Sequence, residues 1–310
     1  MALSLNPIFR KGILLAAMNP LVESAVARYG DKLGATRYNA GTNFDECLEV
    51  LEQLTARGFY SYVSPLGEAL DDPSEIEAVV DEYRMMLTRL TTAHLDSTIA
   101  VKLTQIGLNI SEDYGFQNTL RIVDRAARDN RFVRISMEES ETVDATLRIY
   151  RRLREAGYDN VGVVLQSYLY RSEQDLKDLL EYRPNIRIVK GAYLEPDDVA
   201  YPNKRDVDVA YLRMLKRSLS YGEFTAIATH DERIIDYTME YVDRNNIDHE
   251  RFEFQMLLGV RRELQEGLID QGLKVRLAVP YGPDWYPYFM RRLAERPANL
   301  LFIARSLIER

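Results

Sequence analysis

The chain has 310 residues, of which 46% are hydrophobic and 28% are charged, so it can bury a core large enough for one barrel or two smaller domains. A formal net charge of -8 without a cluster of Lys and Arg excludes nucleic acid as an expected partner, because phosphate binding requires clustered positive charge. No stretch approaches the roughly 18 consecutive apolar residues of a membrane span, and a single cysteine excludes a disulfide framework.

The opening segment, residues 1–56, has helical periodicity and no convincing strand, so we predict a helical segment that packs on the domain after it. In its last part Leu48, Leu51 and Leu54 recur at three-residue spacing, and Cys47 beside them is expected to be a buried thiol. The first residues are too interrupted by polar side chains for a signal peptide, which predicts a cytoplasmic protein. The alternative is a peripheral position at the inner face of the membrane, through an amphipathic N-terminal helix.

From residue 57 to residue 310, short β-branched and aromatic runs alternate with longer amphipathic segments, which is typical of a parallel βα repeat. The runs are GFYSYVS (58–64), TIAVKLT (98–104), RFVRISM (131–137), VGVVLQS (161–167), IRIVKG (186–191), FTAIAT (224–229), RFEFQM (251–256) and KVRLAV (274–279). Eight such runs over about 250 residues predict a single (β/α)8 barrel of the TIM type. An open doubly wound sheet is the alternative, but no G-x-G-x-x-G follows the first run.

Helix boundary signals lie where this repeat requires them. Asp72 is a candidate N-cap, with Pro73 at the first helical position and Glu75 at the third. Gly157 follows the segment ETVDATLRIYRRLREA and is a candidate helix stop. These signals support helices after successive strands.

In a barrel of this kind, working groups lie at the C-terminal ends of the strands and in the loops that follow them. This rule selects polar residues that end or follow the predicted strands: Glu68, Lys102, Gln166, Arg187, Lys190, Thr229, His230 and Gln255. The segment after the eighth strand adds two adjacent arginines, Arg291 and Arg292. Three histidines, far apart in the sequence, do not suggest a metal site, so no metal is expected.

Several of these residues have two interpretations. Arg187 and Lys190 lie in an otherwise apolar strand, where an unpaired charge is costly to bury. A nearby anion or cofactor explains them, and so does solvent exposure at the strand end. For Arg291 and Arg292 a solvated helix face competes with binding of a carboxylate. For His230 a hydrogen bond to a cofactor competes with a capping role.

Five motifs together resemble bacterial monofunctional proline dehydrogenases. They are VLQSYLYR, RPNIRIVKGAYLEP, ATHDERII, FEFQMLLGV and YGPDWYPYFMRRLAERP. The resemblance runs from about residue 58 to the C-terminus and implies a distorted (β/α)8 barrel with FAD at its C-terminal face. It implies oxidation of L-proline to Δ1-pyrroline-5-carboxylate, with membrane quinone as electron acceptor and pyrroline-5-carboxylate dehydrogenase as pathway partner.

The resemblance also implies roles for single residues. Arg187 resembles the arginine that contacts flavin N5, where a positive charge favours the reduced ring. The other residues that resemble flavin contacts are Gln166, Val189, Lys190, Gly191, Ala192, Tyr193, Thr229, His230, Gln255 and Glu295. Lys102, Arg291 and Arg292 resemble the cations that hold the proline carboxylate. Leu257 and Tyr288 resemble the wall of the substrate pocket, and Glu68 resembles an acidic partner of Arg291 in a gate.

Two positions depart from the pattern of the family. Ser136 stands where the family usually has Asp, and Ala278 stands where it usually has a Tyr that packs on the proline ring. Both positions belong to the substrate half, whereas the flavin half is intact. Three interpretations follow: retained proline oxidation, the same chemistry on a hydroxylated or bulkier imino acid, or a flavin-binding protein with impaired catalysis.

Overall fold

The structure is a computed structural model that describes residues 38–67 and 69–285. Its eight strands are β1 (Tyr60–Pro65), β2 (Ser97–Val101), β3 (Val133–Ile135), β4 (Val161–Gln166), β5 (Asn185–Val189), β6 (Phe224–Ala228), β7 (Phe252–Leu257) and β8 (Val275–Tyr281). They form a closed barrel in the order of the sequence. Consecutive strands from β1 to β8 pair in parallel. The predicted (β/α)8 barrel is therefore confirmed, and the open sheet is excluded.

Eight α-helices lie in the described part of the chain. They are α1 (Phe44–Ala56), α2 (Pro73–Thr92), α3 (Glu112–Arg128), α4 (Val143–Glu155), α5 (Ser172–Leu179), α6 (Lys204–Tyr221), α7 (Glu232–Arg244) and α8 (Arg262–Asp270). Each of the helices from α2 to α8 follows one strand of the barrel, as a βα repeat requires.

The helix boundary signals act as the sequence predicts. The Asp72 side chain accepts hydrogen bonds from the backbone N–H groups of Ser74 and Glu75, and Pro73 is the first residue of α2. These bonds satisfy two of the donors that a helix N-terminus leaves without intrahelical partners. After α4, Gly157 has a φ of +89°, the left-handed conformation that favours glycine at a helix stop.

The strands place alternate side chains on opposite faces of the barrel wall. On the outer face the wall packs against apolar side chains of the helices, and two of their tyrosines also hydrogen-bond to strands. The hydroxyls of Tyr83 on α2 and Tyr211 on α6 donate to the carbonyl oxygens of Ala100 (3.2 Å) and Ile188 (3.0 Å). Complete burial raises the pKa of both tyrosines, so they stay neutral donors.

By their contacts, the described residues fall into two compact units. The first comprises residues 38–50, 65–67 and 279–285, and the second comprises residues 51–64 and 69–278. Within the first unit, Phe44 packs on Tyr281 with ring centroids 5.4 Å apart, and Ala40 donates its backbone N–H to Pro280. The division of the chain into a helical segment to residue 56 and a barrel from residue 57 stays a prediction.

Two expectations about single features can be compared with the structure. Cys47 is fully buried, and burial raises the pKa of its thiol to about 12, as expected for a core residue without redox chemistry. None of the helices in residues 38–67 and 69–285 has the length and apolar character to cross a bilayer.

Candidate active site

The sequence-predicted site residues within the described ranges gather at the C-terminal half of the barrel wall. Lys102, Ser136 and Thr229 come directly after β2, β3 and β6, and Gln166 and Val189 are the last residues of β4 and β5. Leu257 ends β7, and Lys190, Gly191, Ala192 and Tyr193 begin the loop after β5. Three residues lie deeper inside their strands than the sequence indicates: Arg187, Gln255 and Ala278.

Arg187 is 5% exposed and is held only by weak contacts. One terminal nitrogen lies 3.4 Å from Oε1 of Gln255, and the other lies 3.5 Å from the Ser136 hydroxyl. The guanidinium carbon lies 4.6 Å from the ring centroid of Tyr62, within the range of a cation–π interaction. Among the described residues, the buried Nε of Arg187 has no hydrogen-bond partner. Arg187 therefore retains unused capacity to donate hydrogen bonds.

The register of β6 explains how Arg187 reaches Gln255 across an intervening strand. Ala226 is paired with Arg187 on β5, and Ala228 is paired with Gln255 on β7. Because both β6 residues end at a methyl group, they leave space for the long side chains on either side. Arg187 and Gln255 consequently meet although they are 68 residues apart in the sequence.

On the N-terminal side of this contact, a buried ion pair joins β7 and β8. Glu253, which is 4% exposed, accepts hydrogen bonds at Oε1 from Nε of Arg276 (2.8 Å) and from Nε2 of Gln255 (2.6 Å). Arg276 also donates to the carbonyl oxygen of Ser61 on β1 (2.8 Å). The side-chain nitrogen of Gln255 thus faces the carboxylate, and its oxygen faces Arg187. The sequence analysis did not select Glu253, although its two-residue spacing from Gln255 places both on the same face of β7.

Arg134 on β3 belongs to the N-terminal half of the barrel and is tightly bound. Its terminal nitrogens donate to the backbone oxygen (2.7 Å) and to the Oδ1 (2.5 Å) of Asn185 on β5. To reach Asn185 the side chain passes over Gly162 on β4, where a Cβ atom would clash with the guanidinium and lie 2.5 Å from the Asn185 oxygen. Burial, followed by the positive charge of Arg187, lowers the pKa of Arg134 to about 9.

A cavity of about 570 Å³ opens among the N-terminal ends of the strands. Ser97, Phe132 and Phe224 line its mouth, and it extends inward to Arg187 and Gln255. TIM-type barrels are usually filled by layers of apolar side chains. The polar, partly hollow interior therefore extends to the N-terminal side of Arg187.

Gln166 contacts the backbone of Glu138, a second buried acidic residue that the sequence analysis did not select. Its Nε2 donates to the backbone oxygen of Glu138, which follows β3 (2.9 Å). The carboxylate of Glu138 accepts hydrogen bonds from the hydroxyl (2.6 Å) and the backbone N–H (3.1 Å) of Thr104. Burial is the largest influence on Glu138 and raises the pKa of its carboxyl group. These bonds tie the ends of β2, β3 and β4 together beside Lys102.

Lys190 lies in the loop after β5 and is neither unpaired nor fully exposed. Its Nζ lies 2.6 Å from Oδ1 of Asp208 on α6 and 3.3 Å from Oδ2 of Asp231. A hydrogen bond from Arg233, together with the charge of Lys190, holds the pKa of the Asp231 carboxyl well below its usual range. The cationic group is therefore held at the strand end by two carboxylates.

The loop after β6 is bonded to its neighbours. Nε2 of His230 accepts the backbone N–H of Leu257 (3.0 Å), and the Thr229 hydroxyl oxygen accepts the backbone N–H of Asp231 (3.1 Å). The His230 bond joins a residue of β7 and not the N-terminus of α7, and together the two bonds position the loop next to β7.

Two positions of the site, Gly191 and Ala278, are occupied by small residues. Gly191 has a φ of +114°, and an added Cβ would collide with the ring of Tyr168. Ala278 is buried and is paired with Leu257 across the β7–β8 ladder. A small side chain at position 278 therefore lies next to the predicted pocket wall.

Five predicted site residues lie outside the described residues: Glu68, Tyr288, Arg291, Arg292 and Glu295.

This chain is similar to known proteins over nearly its whole length. A family model described as proline dehydrogenase matches residues 47–305. A proline dehydrogenase of Deinococcus radiodurans is 40% identical over 309 residues, which cover 98% of this chain and 99% of that protein. Proline dehydrogenase 1 of Bacillus subtilis is 36% identical over 303 residues, which cover 98% of this chain and 100% of that protein.

A solved structure supports the fold independently. Proline utilization A from Bdellovibrio bacteriovorus, inactivated by N-propargylglycine, superposes with a TM-score of 0.81 at 24% identity. The match covers 92% of this chain but 36% of that one, so this chain spans about a third of the larger protein. The likeness shows the barrel fold.

The barrel and the matched sequences define an oxidoreductase built on a (β/α)8 fold. The chain belongs to the proline dehydrogenase family, and the resemblance seen in its motifs is confirmed.

Proposed function

We propose that this enzyme oxidises L-proline to Δ1-pyrroline-5-carboxylate with FAD as its cofactor. The observation that carries the proposal is Arg187, a buried arginine with weak contacts and an Nε without a partner among the described residues. Buried polar groups in native proteins almost always have partners, so an orphaned donor indicates a ligand site. The family's flavin and the position of Arg187 in the barrel both agree with this interpretation.

The residues present fit a flavin cofactor. Arg187 offers a positive charge and a free donor, and Lys190 offers a second cation at the strand end. Gln166 at the end of β4 and Gln255 on β7 add amide groups. A flavin ring requires hydrogen-bond donors and acceptors at its edge and a cationic group near the atoms that become negative on reduction. We therefore assign these four residues to the cofactor, with Val189, Gly191, Ala192, Tyr193, Thr229, His230 and Glu295 as further contacts.

When bound, FAD supplies a two-electron acceptor that takes a hydride from C5 of proline at N5 of the flavin. The chain itself contributes orientation and electrostatics. Arg187 stabilises negative charge in a buried setting, where the interaction is less screened than in water. Lys102, Arg291 and Arg292 hold the substrate carboxylate, while Leu257, Tyr288 and Glu68 enclose the ring.

The electrons then pass to membrane quinone, and pyrroline-5-carboxylate dehydrogenase consumes the product. This route is consistent with a cytoplasmic enzyme that contacts the inner face of the membrane peripherally.

A second candidate function is the same reaction on a hydroxylated imino acid. The observation that favours it is the buried Ala278 beside Leu257, where a larger side chain would restrict the pocket. Ser136 adds a small hydroxyl 3.5 Å from Arg187 in place of a carboxylate. A wider pocket relieves the steric penalty against a ring substituent, but the carboxylate anchors remain.

The proposal is tested by anaerobic titration of the FAD-reconstituted protein with L-proline. We expect a yellow protein with non-covalently bound FAD whose absorbance near the flavin maximum bleaches on addition of L-proline. D-Proline is the matched control, since its carboxylate has the opposite stereochemistry. A protein that takes up no FAD, or FAD that L-proline does not reduce, would contradict the proposal.

A further inference from the structure

We propose that the buried ion pair of Glu253 and Arg276 is a positioning device that orients Gln255 toward Arg187 and adjusts the reduction potential of the bound flavin. The inference rests on the proposed function, since it requires that Arg187 faces the cofactor. It goes further by giving a role to two residues, Glu253 and Arg276, that lie below the site.

The geometry is a continuous chain of hydrogen bonds inside the barrel. It runs from Arg276 to Oε1 of Glu253 (2.8 Å), from the same oxygen to Nε2 of Gln255 (2.6 Å), and from Oε1 of Gln255 to Arg187 (3.4 Å). Because Glu253 can only accept at its carboxylate, it fixes the amide of Gln255 with its nitrogen toward Glu253. The Gln255 oxygen is then the group that Arg187 meets. Without Glu253, the amide is free to turn its nitrogen toward Arg187.

The charges of Glu253 and Arg276 should shift the reduction potential of the flavin in opposite directions. Glu253 is 4% exposed, and its carboxyl group forms short contacts with the guanidinium of Arg276 and the amide of Gln255. Because the side chains of Arg276 and Glu253 are only 12% and 5% exposed, their charges are less screened than charges in water. Removal of Glu253 leaves the positive charge of Arg276 uncompensated beneath Arg187. Removal of Arg276 leaves the negative charge of Glu253 uncompensated in the same place.

A purely structural ion pair gives a different pattern. Loss of either partner of a buried pair is destabilising because the other charge is left buried and unpaired. A structural role therefore predicts that both single variants lose stability in the same direction and that the flavin potential does not move. A role in tuning predicts potential shifts of opposite sign, which cancel when both partners are replaced.

The experiment measures the midpoint potential of FAD-loaded protein for Glu253→Gln, Arg276→Gln and the double variant. We expect Glu253→Gln to raise the potential and Arg276→Gln to lower it. Each shift should correspond to at least a tenfold change in the equilibrium constant for two-electron reduction, which is about 30 mV. The double variant should return close to the potential of the parent protein.

Two variants serve as controls. Glu253→Asp keeps the charge and should stay near the parent potential. Glu77→Gln removes a carboxylate from a half-exposed pair with Arg121 on the outer helices, and solvent screening should leave its potential unchanged. If Glu253→Gln does not fold, Arg276→Gln alone tests the proposal. A midpoint potential that is unchanged or higher in that variant contradicts it.

Arg187→Ala, measured in the same series, separates this inference from the proposed function. If Arg187→Ala lowers the potential but the ion-pair variants leave it unchanged or move it in the same direction, the role of Glu253 and Arg276 is wrong and the flavin site stands. If Arg187→Ala does not change the potential, Arg187 lies away from the flavin and both proposals fail.

Discussion

The two halves of the barrel interior hold their buried arginines in different ways. In the N-terminal half, Arg134 and Arg276 donate short hydrogen bonds of 2.5 to 2.8 Å to Asn185, Glu253 and a strand carbonyl. In the C-terminal half, the terminal nitrogens of Arg187 are 3.4 and 3.5 Å from their partners, and its Nε has none among the described residues. Arg134 and Arg276 are therefore fully engaged by protein groups, whereas Arg187 is available to a ligand.

The comparison shows that burial alone does not identify a functional arginine. All three guanidiniums lie within the barrel wall, and each would be costly to leave unsatisfied. What distinguishes Arg187 is the absence of close hydrogen-bond partners in the described chain, which is a property of contacts and not of sequence. Loss of Arg187 should therefore affect the chemistry more than the stability, whereas a change that displaces Arg134 should affect the stability.

The largest effect is expected for Arg187→Ala. We expect the rate of flavin reduction by L-proline to fall by about 100- to 1000-fold, as for loss of a donor that stabilises developing charge. Thermal unfolding should change little, because the side chain has weak contacts. Stopped-flow absorbance measures the rate. Arg183→Gln, which removes an exposed arginine paired with Glu223, is the matched control and should leave the rate unchanged.

The N-terminal half can be tested with Gly162→Ala. The added methyl group would collide with the guanidinium of Arg134 and with the Asn185 oxygen, so we expect a loss of about 1–3 kcal/mol in the free energy of unfolding. Urea denaturation measures this loss. Gly267→Ala on α8, where an added Cβ meets nothing within 4 Å, is the control and should be neutral or slightly stabilising. Equal effects in the two variants would show that Arg134 does not require its path over Gly162.

A smaller effect is expected for Ala278→Tyr, which fills space in the C-terminal half. The ratio of kcat/KM for trans-4-hydroxy-L-proline over L-proline should fall by about fivefold or more, since one pocket contact typically contributes about 1–3 kcal/mol to discrimination. Steady-state kinetics on the parent and the variant give the ratio. Ala278→Ser, with a similar volume, should leave it nearly unchanged. A ratio that stays constant or rises in Ala278→Tyr would show that position 278 does not control the pocket at C4.

The barrel itself could be predicted because its signals are local. Each predicted run overlaps a strand of the structure, since β-branched residues bounded by polar segments favour strands whatever lies around them. Asp72 and Gly157 likewise act through their own backbone neighbourhood. The rule that places active groups at the C-terminal ends of strands then selected the region of Lys102, Gln166 and Thr229.

The contacts within the site could not be predicted, because they join distant strands. Lys190 had two interpretations in the sequence. Its pairing depends on Asp208 on α6 and on Asp231 in the loop after β6, which lie 18 and 41 residues further along the chain. For Glu253, the only indication in the sequence is its two-residue spacing from Gln255, which places both side chains on the same face of β7. The passage of Arg134 over Gly162 depends on the register of three strands, which no local pattern specifies.

The central claim is that Arg187 is the arginine of the barrel that contacts the cofactor, whereas Arg134 and Arg276 remain bound to protein groups. A crystal structure of the FAD-loaded protein tests it most directly. We expect the guanidinium of Arg187 within hydrogen-bond distance of flavin N5, with the contacts of Arg134 to Asn185 and of Arg276 to Glu253 unchanged. A flavin ring that lies out of reach of Arg187, or that contacts Arg134 or Arg276 instead, would contradict the account.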